Sequence, residues 1–184
     1  MFKMLAVFVL TLILSGEAWA LDEFEGVKCG SDIPRALSGK RSSDEKVVVI
    51  EERHKNLGLK DLGGSDVTDQ LSSVSWRICG SEFELLVDNK SKQIRDVLQF
   101  PSHSKTSPMF IGQCKVDGRE IPETVMAVLD NHSGLNARDR ARAEVLLMAT
   151  AAWKIDEAHG RFVALPVTGL GCPLGGIVTS DGGP

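Results

Sequence analysis

The chain has no tyrosine, only 3 tryptophans and 7 phenylalanines among 184 residues, and a formal net charge of −4. So few aromatic rings on a mildly acidic chain leave neither the basic footprint nor the stacking surface that holds nucleic acid, and that class of partner is not expected. Arg138, Arg140 and Arg142 do cluster, but Asp139 and Glu144 interrupt them, and the run reads as a solvated helix face. The apolar run near the N-terminus falls short of the roughly 20 residues that cross a bilayer, and no later run is longer. Catalytic signatures are missing as well. There is no Cys-x-x-Cys pair, no Gly-x-Ser-x-Gly elbow, no glycine loop ending in Gly-Lys-Ser/Thr, and no His/Cys pair at zinc-ligand spacing. No metal and no cofactor are called for, and an enzyme is not the expected class.

What is present begins with export. Residues 1–20 combine Lys3, an apolar core over 5–14 and the small-x-small ending Ala18-Trp19-Ala20, the three parts of a cleaved secretory signal. Cutting after Ala20 leaves one domain over residues 21–172 and a Gly-rich tail over 173–184, expected to be flexible, in a secreted or periplasmic protein. The mature chain carries Cys29, Cys79, Cys114 and Cys172, an even count that in an exported protein means two disulfides. Three pairings are open. Position favours Cys79 with Cys114 across one sheet, and Cys29 with Cys172 tying the two ends.

The densest patterning lies between residues 75 and 115. Phe83, Leu85 and Val87 alternate with Glu82, Glu84 and Asp88, the mark of a half-buried strand with its acids in solvent. Further strands are expected over 46–52, where Val47, Val48, Val49 and Ile50 run together, up to Ile78, over 94–100, 109–116, 121–130 and 161–167, with 145–155 an apolar run. Turns are marked by Gly80-Ser81, by Asp88-Asn89-Lys90-Ser91 and by Asp117-Gly118. A short helix is expected over 31–38, with Ser31 or Asp32 as cap and Pro34 in its first turn, and a linker or short helix over 131–142. The fold class is mainly β, with α+β as the alternative: a single antiparallel meander forming a curved sheet, small barrel or sandwich with one to three short helices. Trp76, Ile78, Phe83, Leu85, Leu98 and Phe110 are its expected core. One internal echo stands out: Trp76-Arg77-Ile78 followed by Phe83 resembles Trp153-Lys154-Ile155 followed by Phe162.

The four histidines, His54, His103, His132 and His159, are scattered and read as solvated loop residues. Asn89-Lys90-Ser91 and Asn131-His132-Ser133 fit the glycan acceptor pattern at expected turns, a pattern too short to carry weight alone. With no convergent acid, base and nucleophile, the function expected is that of a non-catalytic binding or inhibitor-type protein whose partner is an extracellular or periplasmic protein. The contact surface expected is the loop between Pro101 and Pro108, with Ser102, His103, Ser104, Lys105 and the adjoining Met109, because prolines at both ends pre-organise it. An extracellular hydrolase using His103 or His159 beside a carboxylate is one alternative. A structural envelope or matrix component is the other.

Overall fold

The lead-in to the sheets is built by local chemistry. In the computed structural model, which describes residues 22–104, 106–132 and 145–173 and the backbone of 177–178, the first helix α1 is Ile33–Leu37. Asp32 caps it by accepting the Arg35 amide at 3.1 Å, Pro34 stands in its first turn, and Ile33 and Leu37 face inward. A second helix, α2, spans Val47–Arg53, followed by a 3₁₀ turn at Lys55–Leu57 that closes on Gly58 at φ 56°. The strand expected over 46–52 is therefore a helix. Only Ile50 of its apolar run is buried, while Val48 is 66% exposed. The tertiary reason lies at its end: helical backbone lets the successive residues Arg53 and His54 both reach Asp22, where a strand would send them to opposite faces.

Four strands then form an antiparallel meander: β1 (Lys60–Asp66), β2 (Leu71–Ile78), β3 (Ser81–Asp88) and β4 (Ile94–Gln99). The β2–β3 turn is Cys79-Gly80, one residue earlier than expected, with φ of 53° and 81° at its two central positions. This mirror-image turn matches the right-handed twist of the paired strands. In the turn after β3, positive φ falls on Lys92 rather than on Asn89. The outer edge of β4 is covered by the chain leaving α1, through Gly39 N–H to the Ile94 carbonyl and Ile94 N–H to the Lys40 carbonyl, both 2.8 Å.

The second sheet is also antiparallel and curls into a half-barrel. Its strands are β5 (Met109–Gly112), β6 (Lys115–Val116), β7 (Arg119–Glu120), β8 (Val125–Leu129), β9 (Leu146–Asp156), β10 (Arg161–Ala164), β11 (Leu170–Pro173) and β12 (Ile177–Val178). The spatial order is β12-β5-β8-β9-β11-β6-β7, with β10 beside β9. β9 is the spine, pairing β8 on one side and both β11 and β10 on the other. The expected strand 121–130 is shortened to β8 because Asp117-Gly118 first turns the chain into the two-residue β7, which ends before Pro122. Part of the expected tail is ordered into sheet: Pro173 closes β11, and Ile177 and Val178 pair with Phe110 and Met109. Residues 1–21, the tail beyond Val178 and most of the expected 131–142 linker lie outside the described residues.

The fold is thus mainly β, as expected, but divided between two sheets rather than one meander. Three clusters fill it. Phe24, Leu37, Ile50, Trp76, Ile78, Phe83, Leu85 and Ile94 pack the meander against the helices. Leu71, Leu86, Phe100, Met109, Met126, Val128 and Ile155 pack it against the second sheet, with Leu98 half-buried beside them. Phe110, Val125, Leu129, Leu147 and Leu170 fill the curl of that sheet. The echo of Trp76 and Trp153 dissolves on register: Trp76 stands opposite Phe83, whereas Trp153 stands opposite Ala164 and Ile155 opposite Phe162.

Each half closes its own disulfide. Cys29 joins Cys79, tying the lead-in to the β2–β3 turn, and Cys114 joins Cys172 within the second sheet. The pairing expected from position is corrected because Cys114 follows β5 and belongs to the second sheet, so it cannot staple the meander. The bridges span 50 and 58 residues of sequence, and on the chain-entropy account each contributes about 4 kcal/mol by restricting the unfolded chain. Peptide mapping without reduction should recover Cys29 linked to Cys79 and Cys114 linked to Cys172; a Cys79 to Cys114 peptide would contradict this topology.

Candidate functional site

Pro101 stops β4 and Pro108 precedes β5, so the loop between them joins the two sheets. Inside it, Ser104 and Ser107 exchange backbone hydrogen bonds at 3.0 and 3.1 Å, closing a tight turn. The Thr106 carbonyl accepts the Asn131 amide at 2.8 Å, and the Pro108 carbonyl accepts the Leu129 amide at 2.9 Å. At the base, His103 Nε2 lies 3.2 Å from Glu82 Oε2, while Arg77 donates to Glu82 Oε1 at 2.8 Å. Ser102, Ser104 and Thr106 are exposed on this pinned frame, and His103 is half-buried. Of the other residues nominated for contact, one is placed in the core and one is not described. Met109 is 6% exposed and packs between the sheets, because it begins β5 with its side chain on the core face, and Lys105 lies outside the described residues.

Two of the three acids of β3, Glu82 and Glu84, are not in solvent. Glu84 is 1% exposed and Glu82 is largely covered, because the second sheet packs over the face that carries them. The expectation of a solvated acidic face is corrected accordingly. Ser75, directly across on β2, donates its hydroxyl to Glu84 Oε2 at 2.5 Å, and Ser73 also hydrogen-bonds the carboxyl. Glu84 Oε1 has no hydrogen-bond partner among the described residues. Burial is the main influence and pushes this carboxyl above the ordinary range; the Glu82 charge acts the same way, and the serine hydroxyls oppose both. A sequence signal for the second covering layer did exist: Leu85-Leu86-Val87 breaks the alternation, as a strand buried on both faces does.

A second buried polar cluster ties down the start of the described chain. Asp22, 4% exposed, receives His54 Nε2 at 2.8 and 2.9 Å from its two oxygens, Arg53 at 2.5 Å, and the Phe24 amide at 2.9 Å. Phe24 stacks edge-on against both His54 and Trp76. Burial alone would raise the Asp22 carboxyl, but the hydrogen bonds from His54, Arg53 and Phe24 outweigh it and hold the group below its usual range. Of the four histidines read as solvated, His54 is therefore buried and His103 half-buried. His132 and His159 are exposed and sit beside Asp130 and Asp156 in their own turns.

The acceptor asparagines serve the fold. Asn131 is 5% exposed, and the Asn89 amide group donates to the Thr68 and Asp69 carbonyls at 3.3 Å while its oxygen accepts from Ser72. An open recess lined by Val116, Asp117, Arg119, Glu120, Ile121 and Pro122 is built from the β6–β7 hairpin and the residues that follow it, and brings none of the nominated residues together. No group of three or more His, Cys, Asp or Glu among the described residues is arranged to hold a metal, and no helix among them is long and apolar enough to cross a membrane. The chain matches no protein-family model, no curated protein and no solved structure.

Asp22 gives this arrangement a measurable consequence. Asp22→Asn removes the buried carboxylate that His54 contacts and that Arg53 shares with Glu45, and should lower stability at pH 7 by about 2 kcal/mol in urea unfolding. Because the folded carboxyl titrates below its unfolded value, the wild-type advantage is complete above the ordinary Asp range, near pH 4, and should fade as pH falls through the folded value. An advantage that persists undiminished into stronger acid would show that the charge is not what matters.

Proposed function

We propose that this is a secreted or periplasmic, non-catalytic binding protein of the inhibitor type, which presents the loop between Pro101 and Pro108 to a partner protein. The observation that carries the reading is the anchoring of that loop's described residues: proline at both ends, backbone hydrogen bonds exchanged between Ser104 and Ser107, and anchors to Glu82, Leu129 and Asn131. A loop already held in shape avoids an ordering penalty of about 0.5–1.5 kcal/mol for each side chain it would otherwise immobilise on binding. Two disulfides support an oxidising compartment, in line with export.

A hydrolase is the second reading, favoured by one observation: His103 does lie beside a carboxylate, Glu82, in a partly covered setting. The nearby Ser75 hydroxyl, however, is committed to Glu84. The matrix-component reading gains little from the first sheet, whose β1 edge carries Lys60, Asp61 and Asp66 and a bulge between Asp61 and Gly63, devices that oppose edge-to-edge pairing.

Immobilised mature protein should capture a partner from the extracellular fluid of its source. Ser102→Arg, which places a bulky charge on the exposed face of the loop, should then weaken that partner's binding at least tenfold, while Glu52→Arg on α2 leaves it unchanged. Equal binding by the Ser102 variant, or recovery of no partner, would remove the loop reading. Turnover of an ester, amide or glycoside substrate that is lost in His103→Gln would favour the hydrolase instead.

A further inference from the structure

Glu84 occupies the middle of β3, with Ser75 opposite it on β2 and Leu98 opposite it on β4. Leu98, and Leu86 two residues along β3, share its face and pack with Met109, Met126, Val128 and Ile155 of the second sheet. The carboxyl is therefore enclosed between the sheets, and one of its oxygens, Oε1, has no partner among the described residues. An ionised carboxylate is an acceptor only, with about four lone-pair sites to satisfy, and enclosing one without a cation is far more unfavourable than enclosing the neutral acid.

The surrounding charges do not rescue the ionised form. Glu82, on the same strand and face, is an acid itself, and the Arg77 guanidinium from β2 and the His103 ring from the loop are both engaged with Glu82. On β4, Asp96 accepts the amides of Val97 and Phe162. β1 offers Ser65, which faces Ser73, and Asp66, which stands opposite Ser72. The second-sheet residues of the intersheet cluster, Met109, Met126, Val128 and Ile155 with Trp153 and Phe162 beside them, are all uncharged. A protonated Glu84, by contrast, has its own O–H to donate, and the Ser73 and Ser75 hydroxyls can accept as well as donate.

We infer that Glu84 is kept as the neutral acid in the folded protein and makes its stability pH-sensitive, because ionising a carboxyl enclosed between the sheets strains the core around it. The burial that pushes this carboxyl above its ordinary range agrees with that assignment. The direction of the linkage follows. A group whose folded value is raised contributes its full stability below the unfolded value, about pH 4.3 for Glu, and loses it as pH rises through the folded value. This pH dependence does not depend on what the loop binds, but Glu84 adjoins the loop, since the Phe100 amide and His103 both rest on Glu82.

The test is urea unfolding of the disulfide-intact wild type and Glu84→Gln at intervals from pH 4 to 9. Glutamine has nearly the same shape and cannot ionise, and other titrating groups such as Asp22 contribute to both proteins and cancel in the ratio. The folding constant of wild type relative to Glu84→Gln should fall by up to tenfold per pH unit above the ordinary Glu range and level off beyond the folded midpoint. A ratio that is independent of pH, or that rises with pH, would overturn the inference. Should the Gln variant fail to fold, carbon-13 titration of the Glu84 carboxyl in the wild type decides the matter. A midpoint above those of the exposed glutamates supports the inference, and one at or below them refutes it.

Discussion

Everything in this fold leans on β3, a strand with both faces enclosed. Phe83, Leu85 and Val87 face the helices, and Glu84 and Leu86 face the second sheet. Because side chains alternate strictly along a strand, a slip of one residue would drive Glu84 into the aromatic cluster of Phe24 and Trp76 and carry Phe83 to the intersheet face. The pairing of Ser73, Val74, Ser75 and Trp76 with Leu86, Leu85, Glu84 and Phe83 excludes that slip by matching hydroxyl to carboxyl on one face and apolar to apolar on the other. The disulfide from Cys29 fastens the turn at Cys79 where this register is set.

Of the buried acids, Asp22 and Glu84 are accommodated by opposite means. Asp22 is surrounded by donors and a guanidinium, so its charge is welcome, and these partners stabilise the ionised form in spite of its burial. Glu84 is met by hydroxyls and hydrocarbon, so its charge is not. The pH dependences these generate have opposite signs, and together they favour the folded state in the weakly acidic range, above the region where Asp22 protonates and below the one where Glu84 ionises. They also guard different contacts: Asp22 holds the lead-in to the C-terminal end of α2, and Glu84 sits where the sheets meet.

Much of this was legible in the residues, within limits that are physical. The strands β2 and β3, the Asp-Gly turn and the capped helix at Asp32 depend on neighbours in sequence, and all appear where expected. Three readings depended on distant neighbours and failed together. Residues 47–53 have the composition of a strand, but what decides their state is Asp22, some thirty positions upstream in sequence. Glu82 and Glu84 look solvated until a second sheet covers them, although Leu86 already broke the pattern. The cysteines gave their number but not their pairing, because that follows from which sheet each joins. The candidate loop fared likewise: its proline boundaries were visible, whereas its anchors to Glu82 and Asn131, and the withdrawal of Met109 into the core, come from tertiary packing.

The proposed binding role rests on the same architecture, since the loop between Pro101 and Pro108 is held in shape by the two sheets it joins. The central claim, that β3 is the doubly enclosed strand on which both halves depend, is tested most directly by native-state hydrogen exchange. The amides of residues 83–87 should exchange only through global unfolding and so report the full stability of the molecule, while those of the edge strand β1 exchange by local opening. Exchange of residues 83–87 as rapid as that of β1 would contradict the account.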